Sequence, residues 1–310
     1  MGITFSLQVA GSAFGHDMAA LLTICQRAEQ LGFEEVRVAD HPGTTHDPFA
    51  LLTMIAASTS TIRVGTYVLN MGIRHPLDAA ISALTLADLT DGRFTLGIGA
   101  GHTPAEWQMR GAARPSVGGR VERLIEVAEV IPALCRGESV TFGGEHVQLD
   151  DAVIENPTLP EHTAIPLLIG GSNRRIVERA ARTADVVAIT GLGTTKKDGH
   201  DHAVNWSPEA TDATVRRIDD AHGVGRRPVI DALVQVVDAN PDRRSTAASL
   251  AAEVDSLEPE HALDCPFVLL GSARSIARQV TEYEDRWGIT SYCVRPPAIE
   301  HIVEVMEHLA

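Results

Sequence analysis

No run of apolar residues in this 310-residue chain approaches the ~18 that a membrane-crossing helix needs. The opening segment, MGITFSLQVAG, has no basic stretch ahead of a long apolar core, so it reads as a first strand and not as a signal peptide, and a cytoplasmic location is expected. Cysteine is scarce. Cys25, Cys135, Cys265 and Cys293 stand far apart, with no CxxC pair and no histidine at zinc spacing, which points to buried reduced thiols. Positive charge is also short: 26 Lys and Arg face 41 Asp and Glu. The net charge of −15 argues against a nucleic-acid or anionic-membrane partner, because both need a basic face. An anion held by such a chain requires positive groups concentrated locally. No low-complexity linker divides the sequence, so a single domain over residues 1–310 is expected.

What the sequence has in quantity is alternation. Strand-like apolar runs occupy residues 3–9, 36–39, 62–70, 93–99, 165–170, 185–190, 229–237 and 290–296. They are continuous Val, Ile and Leu runs, as in parallel sheets buried on both faces. Helical periodicity separates them at Asp17 to Leu31, Leu77 to Leu89, Val121 to Leu134, Ile176 to Thr183, Ala213 to Ala221 and Ser275 to Trp287. The first of these stops at Gly32, a residue suited to a left-handed cap. Strand–helix alternation repeated about eight times predicts an α/β fold, a (β/α)8 TIM barrel, with a doubly wound open sheet as the competitor. Two insertions are visible. Residues 136–160, after the fourth helix, hold two short runs around Gly143 and Gly144 that spell a β-hairpin. Residues 191–208, after the sixth strand, form a polar, Gly-rich loop of the kind that serves as a lid.

Four motifs carry candidate chemistry. VRVADHPG ends a strand with Asp40 and His41 at the rim where barrel active sites lie, and histidine exchanges a proton near neutral pH without a large pKa shift. The competing reading is an ordinary loop that caps the next helix. VGTYVLN, Val64 to Asn70, reads by composition as a core strand. LGIGAGHTPAEW, Leu96 to Trp107, follows a strand but lacks the third glycine of a dinucleotide fingerprint, and its glycines suit a close backbone approach to a flat ring. PLLIGGSNRR, Pro166 to Arg175, runs a strand into Gly170, Gly171, Ser172 and Asn173 and then a helix, which aims free backbone N–H groups and the helix dipole at one spot, an anion site.

Together these motifs resemble the bacterial-luciferase-like superfamily of flavin-type oxidoreductases, and more narrowly its branch that uses the deazaflavin coenzyme F420. The resemblance runs through ordered motifs from about Phe5 to Thr190. It implies that Asp40 holds the coenzyme ring and that His41 is the proton donor or acceptor. It implies a non-proline cis peptide at Tyr67–Val68 behind the ring, with Asn70, Ala100 and Gly101 at the ring edge. It places the coenzyme phosphate on Gly170, Gly171, Ser172 and Asn173, with Arg175 and Arg174 adding charge. In sugar-phosphate dehydrogenases of this branch the position of His102 is a catalytic glutamate, so their substrate does not carry over; His102 is the candidate second acid or base, with Glu106 behind it. In the insertion, Lys196 and Lys197 are lid charges, His200 and His202 read as solvated and not as a metal site, and Trp206 is a candidate lid anchor. The expected activity is hydride transfer between F420 and a small organic substrate, in an enzyme that pairs as a homodimer. The alternatives are an FMN-dependent, oxygen-using monooxygenase served by a flavin reductase, and a non-catalytic flavin-binding relative.

Overall fold

Eight parallel strands close on themselves in the computed structural model, which describes the chain except residues 1, 11–13, 15–16, 158, 161–162 and 196–201, and describes 194–195 by backbone alone. In chain order they are Thr4–Val9, Glu35–Val38, Arg63–Thr66, Phe94–Gly99, Leu167–Gly170, Val186–Ile189, Val229–Leu233 and Ile289–Val294. The first pairs with the eighth (Thr4 opposite Ser291), and the third closes on the fourth (Val64 opposite Phe94, Gly65 opposite Thr95). The expected TIM barrel is the fold, and each strand overlaps one of the eight predicted runs, the second and eighth starting one residue earlier, at Glu35 and Ile289.

Strand alternation sorts the side chains into two apolar clusters. Phe5, Leu7, Val9, Val36 and Val38 pack outward with the helices, whereas Leu168, Ala188, Leu233 and Cys293 from four strands and Tyr67 just past the third form a smaller separate cluster inside the barrel. The helices begin where capping residues predict. Asp17, Ser116, Asn173 and Ser207 each accept a backbone N–H from the first turn of Met18–Gln30, Val117–Cys135, Arg174–Thr183 and Pro208–Ala221. Gly32, past the end of the first helix, has φ +82°. The four cysteines are unpaired, and burial pushes each thiol up to about 12.

The insertions and two strands refine the expected pattern. Val140–Gly143 and Gln148–Ala152 form the predicted antiparallel hairpin, docked where Glu126 accepts the backbone N–H groups of Glu145, His146 and Val147. The second insertion is not simply a loop: Leu192–Thr195 pairs antiparallel with His202–Val204. The third run breaks at a cis Tyr67–Val68 peptide, after which Leu69–Asn70 pairs with the fourth strand. The seventh run also divides, and Val236–Asp238 leaves the barrel to pair with Val268–Leu270 beside helix Arg243–Glu253.

One carboxylate ties the loop entering the third strand. Glu29 Oε1 accepts from Ser60 N at 2.8 Å, Thr61 N at 2.6 Å, Ile62 N at 3.0 Å and Thr61 Oγ1 at 3.1 Å. Burial pushes its pKa up, but the hydrogen bonds from Ile62, Thr61 and Ser60 outweigh it and hold the group down at about 2. The stabilisation is therefore complete above the ordinary value of 4.5 and is lost as pH falls through about 2. Glu29→Ala should cost about 1–3 kcal/mol in urea unfolding at neutral pH, and the variant should lose this part of the acid dependence.

Candidate active site

All eight strands deliver residues to one cavity of about 1120 Å³ at their C-terminal ends, from Gln8 and Val9 round to Arg295. Its wall is thin where three glycines stand. A Cβ on Gly99 would collide with the Val68 side chain, one on Gly101 would overlap the Asn70 amide, and one on Gly170 would press on Val68 from the other side. Gly101 also has φ +71°, which favours glycine. Without these methyl groups the backbone of the fourth and fifth strand ends approaches Val68 closely, giving the cavity a broad wall suited to a flat ring.

A chain of hydrogen bonds runs along one side of this wall. Asp40, 3% exposed, accepts the Asn70 backbone N–H at 3.0 Å and both Nε and Nη2 of Arg74, at 2.6 and 2.9 Å. Asn70 donates from Nδ2 to Glu106 Oε2 at 2.5 Å and accepts the Gly72 N–H at 2.9 Å. Glu106, also 3% exposed, meets His41 Nδ1 through its other oxygen at 2.9 Å. A carboxylate accepts, so His41 carries its proton on Nδ1 and leaves Nε2 as the free ring nitrogen. Short helix Pro104–Gln108 points Glu106 inward, and Asp40 and Asn70 are fixed by the ends of the second and third strands.

His102 stands beside this chain, its ring centroid 5.4 Å from His41 and 4.7 Å from His202. Burial, with His202 and His41 nearby, pushes His102 down to about 4, so its imidazole is neutral at neutral pH. His202, expected to be solvated, instead reaches the cavity from the insertion hairpin, its Nδ1 3.3 Å from Gly193 O. Trp206 is buried and lines the cavity at the base of that hairpin. Lys196, Lys197 and His200 lie outside the described residues. Among the described residues no cluster of His, Cys, Asp and Glu is arranged to hold a metal ion.

The Gly170, Gly171, Ser172 and Asn173 turn lines the cavity, and Asn173 Oδ1 caps the helix that follows by accepting Arg175 N at 2.9 Å. Arg175 is the charge expected beside this turn from the sequence. Its guanidinium pairs bidentately with Glu122 on the neighbouring helix and does not line the cavity, while Arg174 pairs with its own helix neighbour Glu178. Besides Arg295, two arginines the sequence did not single out stand in the wall. Arg114 and Arg120 lie 6.0 and 5.8 Å from the Trp107 ring centroid, and Arg120 donates to the carbonyls of Gly101 and Pro115 at 3.1 and 2.6 Å. Neither has a carboxylate partner among the described residues. The basic character of RGAARPSVGGR, Arg110 to Arg120, was the available signal.

The model of the luciferase-like monooxygenase family matches residues 2–231. The chain is 34% identical over 192 residues to a protein of Nakamurella multipartita named F420-dependent glucose-6-phosphate dehydrogenase, covering 59% of this chain and 55% of that one. The chain spans about half the length of the curated relatives it matches. Among solved structures, coenzyme F420-dependent tetrahydromethanopterin reductase from Methanopyrus kandleri superposes with a TM-score of 0.76 at 19% identity, covering 100% of both chains. Monooxygenase RslO1 from Streptomyces bottropensis gives 0.77 at 19% identity, over 99% of this chain and 100% of that one. At these identities the likeness is one of fold.

Proposed function

The chain belongs to the luciferase-like monooxygenase family, and within it we propose that the protein is an oxidoreductase dependent on coenzyme F420. The observation that carries this reading is the chain Asp40–Asn70–Glu106–His41 along the wall of a glycine-lined cavity. The relatives named F420-dependent dehydrogenases support the choice of coenzyme. When bound, the deazaflavin supplies a hydride donor or acceptor at carbon, and the protein supplies position and protons.

In this reading Val68, seated between Gly99 and Gly170, backs the ring. Asn70, Ala100 and Gly101 meet its edge, and Asp40 acts by holding Asn70 and Arg74 in place. The Gly170 to Asn173 turn takes the phosphate, with Arg114 and Arg120 providing the local positive charge that an acidic chain needs. His41 Nε2 takes or gives the proton that accompanies the hydride, while Glu106 fixes the ring. His102, neutral at the working pH, serves as a hydrogen-bonding wall more readily than as a proton donor. Hairpin residues Leu192, His202 and Val204 face the substrate and narrow access of water.

Titration of the purified chain with oxidised F420 and separately with FMN, followed by cofactor fluorescence, tests the reading. Micromolar binding of F420 in preference to FMN is expected. Preference for FMN would move the protein to the oxygen-using branch, and binding of neither would favour a non-catalytic relative.

A further inference from the structure

Parallel barrels ordinarily fill their interior with branched aliphatic side chains, but this one places charge there. Asp231, fully buried on the seventh strand, accepts Arg37 Nη1 at 2.8 Å and Ser291 Oγ at 2.5 Å on Oδ1, and the Tyr67 phenol at 2.5 Å on Oδ2. Arg37 also donates from Nε to Glu35 Oε2 at 2.7 Å, and its guanidinium lies 4.9 Å from the Tyr67 ring centroid. All five residues are at most 5% exposed. Burial and the neighbouring Asp231 push the Tyr67 hydroxyl far above its ordinary value, so it donates as a neutral phenol. Burial alone would lower Arg37, but Asp231 and Glu35 override it and keep the guanidinium charged.

Apolar side chains of similar volume would stabilise such an interior at least as well, so stability alone does not account for the charges. Of the five, Tyr67 is the one that reaches the cavity. The next residue, Val68, has its side chain against Gly99 and Gly170. We propose that Asp231 is a positioning residue for the coenzyme: by holding the Tyr67 phenol from beneath, it fixes where Tyr67 and Val68 stand behind the ring. The inference rests on the reading of the cavity as a deazaflavin site. Arg37 and Ser291 in turn fix Asp231, so strands two, three, seven and eight share one polar junction below the ring.

The test compares the full chain with Tyr67→Phe, Asp231→Asn and the double variant, by F420 titration, the absorbance spectrum of the bound ring, and circular dichroism. Tyr67→Phe keeps the ring volume and should fold. It should lose about tenfold in coenzyme affinity and shift the bound-ring spectrum, the scale expected for one hydrogen bond to a charged group. Asp231→Asn should do the same, and the double variant should be no worse than the single ones, because both act through one contact. Tyr67→Phe that binds F420 with wild-type affinity and a wild-type spectrum overturns the inference, even where Asp231→Asn fails to fold. A wild-type chain that binds FMN and not F420 overturns the choice of coenzyme, and the same comparison then runs with FMN under the same expectations. Wild-type binding of neither overturns both.

Discussion

His41→Ala should lower turnover by about 10² to 10⁴, the range for removing a positioned general acid or base, while leaving coenzyme affinity within about twofold. The split follows from geometry. His41 Nδ1 is occupied by Glu106 at 2.9 Å and its ring stands beside His102, whereas in this reading Val68 backs the coenzyme and the Gly170 turn anchors it. Its loss removes the group that moves the proton and leaves the binding wall in place. Steady-state rates and coenzyme titration on the same preparation check both halves. Unchanged turnover would remove His41 from the mechanism, and a parallel loss of binding would make it a coenzyme ligand.

Glu106→Gln should reduce kcat by about 10² with little change in the affinity for F420, the scale seen when a side chain that orients a catalytic group is altered. Glu106 accepts from two donors, His41 Nδ1–H and Asn70 Nδ2–H, and the second contact is 2.5 Å. A glutamine offers one acceptor and places an NH2 against the other donor, so either His41 turns or Asn70 moves. Restoration of activity in Glu106→Asp, whose shorter carboxylate still accepts twice, would separate orientation from bulk. Wild-type kcat in Glu106→Gln would show that the carboxylate only fills space.

These expectations draw on both what the sequence exposed and what folding added. The barrel was legible because its strands are continuous apolar runs separated by stretches of helical periodicity, such as Asp17 to Leu31, which holds the helix Met18–Gln30. The rim residues Asp40, His41 and Asn70 were legible because each closes such a run. Other features had no local signal. Val268–Leu270 is three residues long, too short for periodicity to mark. Asp231 looks like any polar residue in VIDAL, and its meeting with Arg37, 194 positions away, exists only in the closed barrel. Arg175 is next to the anion turn in sequence, but its pairing with Glu122 on the helix alongside has no local signal. His202 looked solvated because its approach to His102 depends on the insertion folding back as a hairpin.

The most direct measurement is anaerobic consumption of reduced F420 by the full chain, against a panel of aldehydes, ketones, imines and activated alkenes, with His41→Ala alongside. The account predicts that at least one class is reduced as the coenzyme is oxidised, without oxygen, and that His41→Ala slows it by about 10² or more. Turnover that appears only with reduced FMN and consumes oxygen would contradict it.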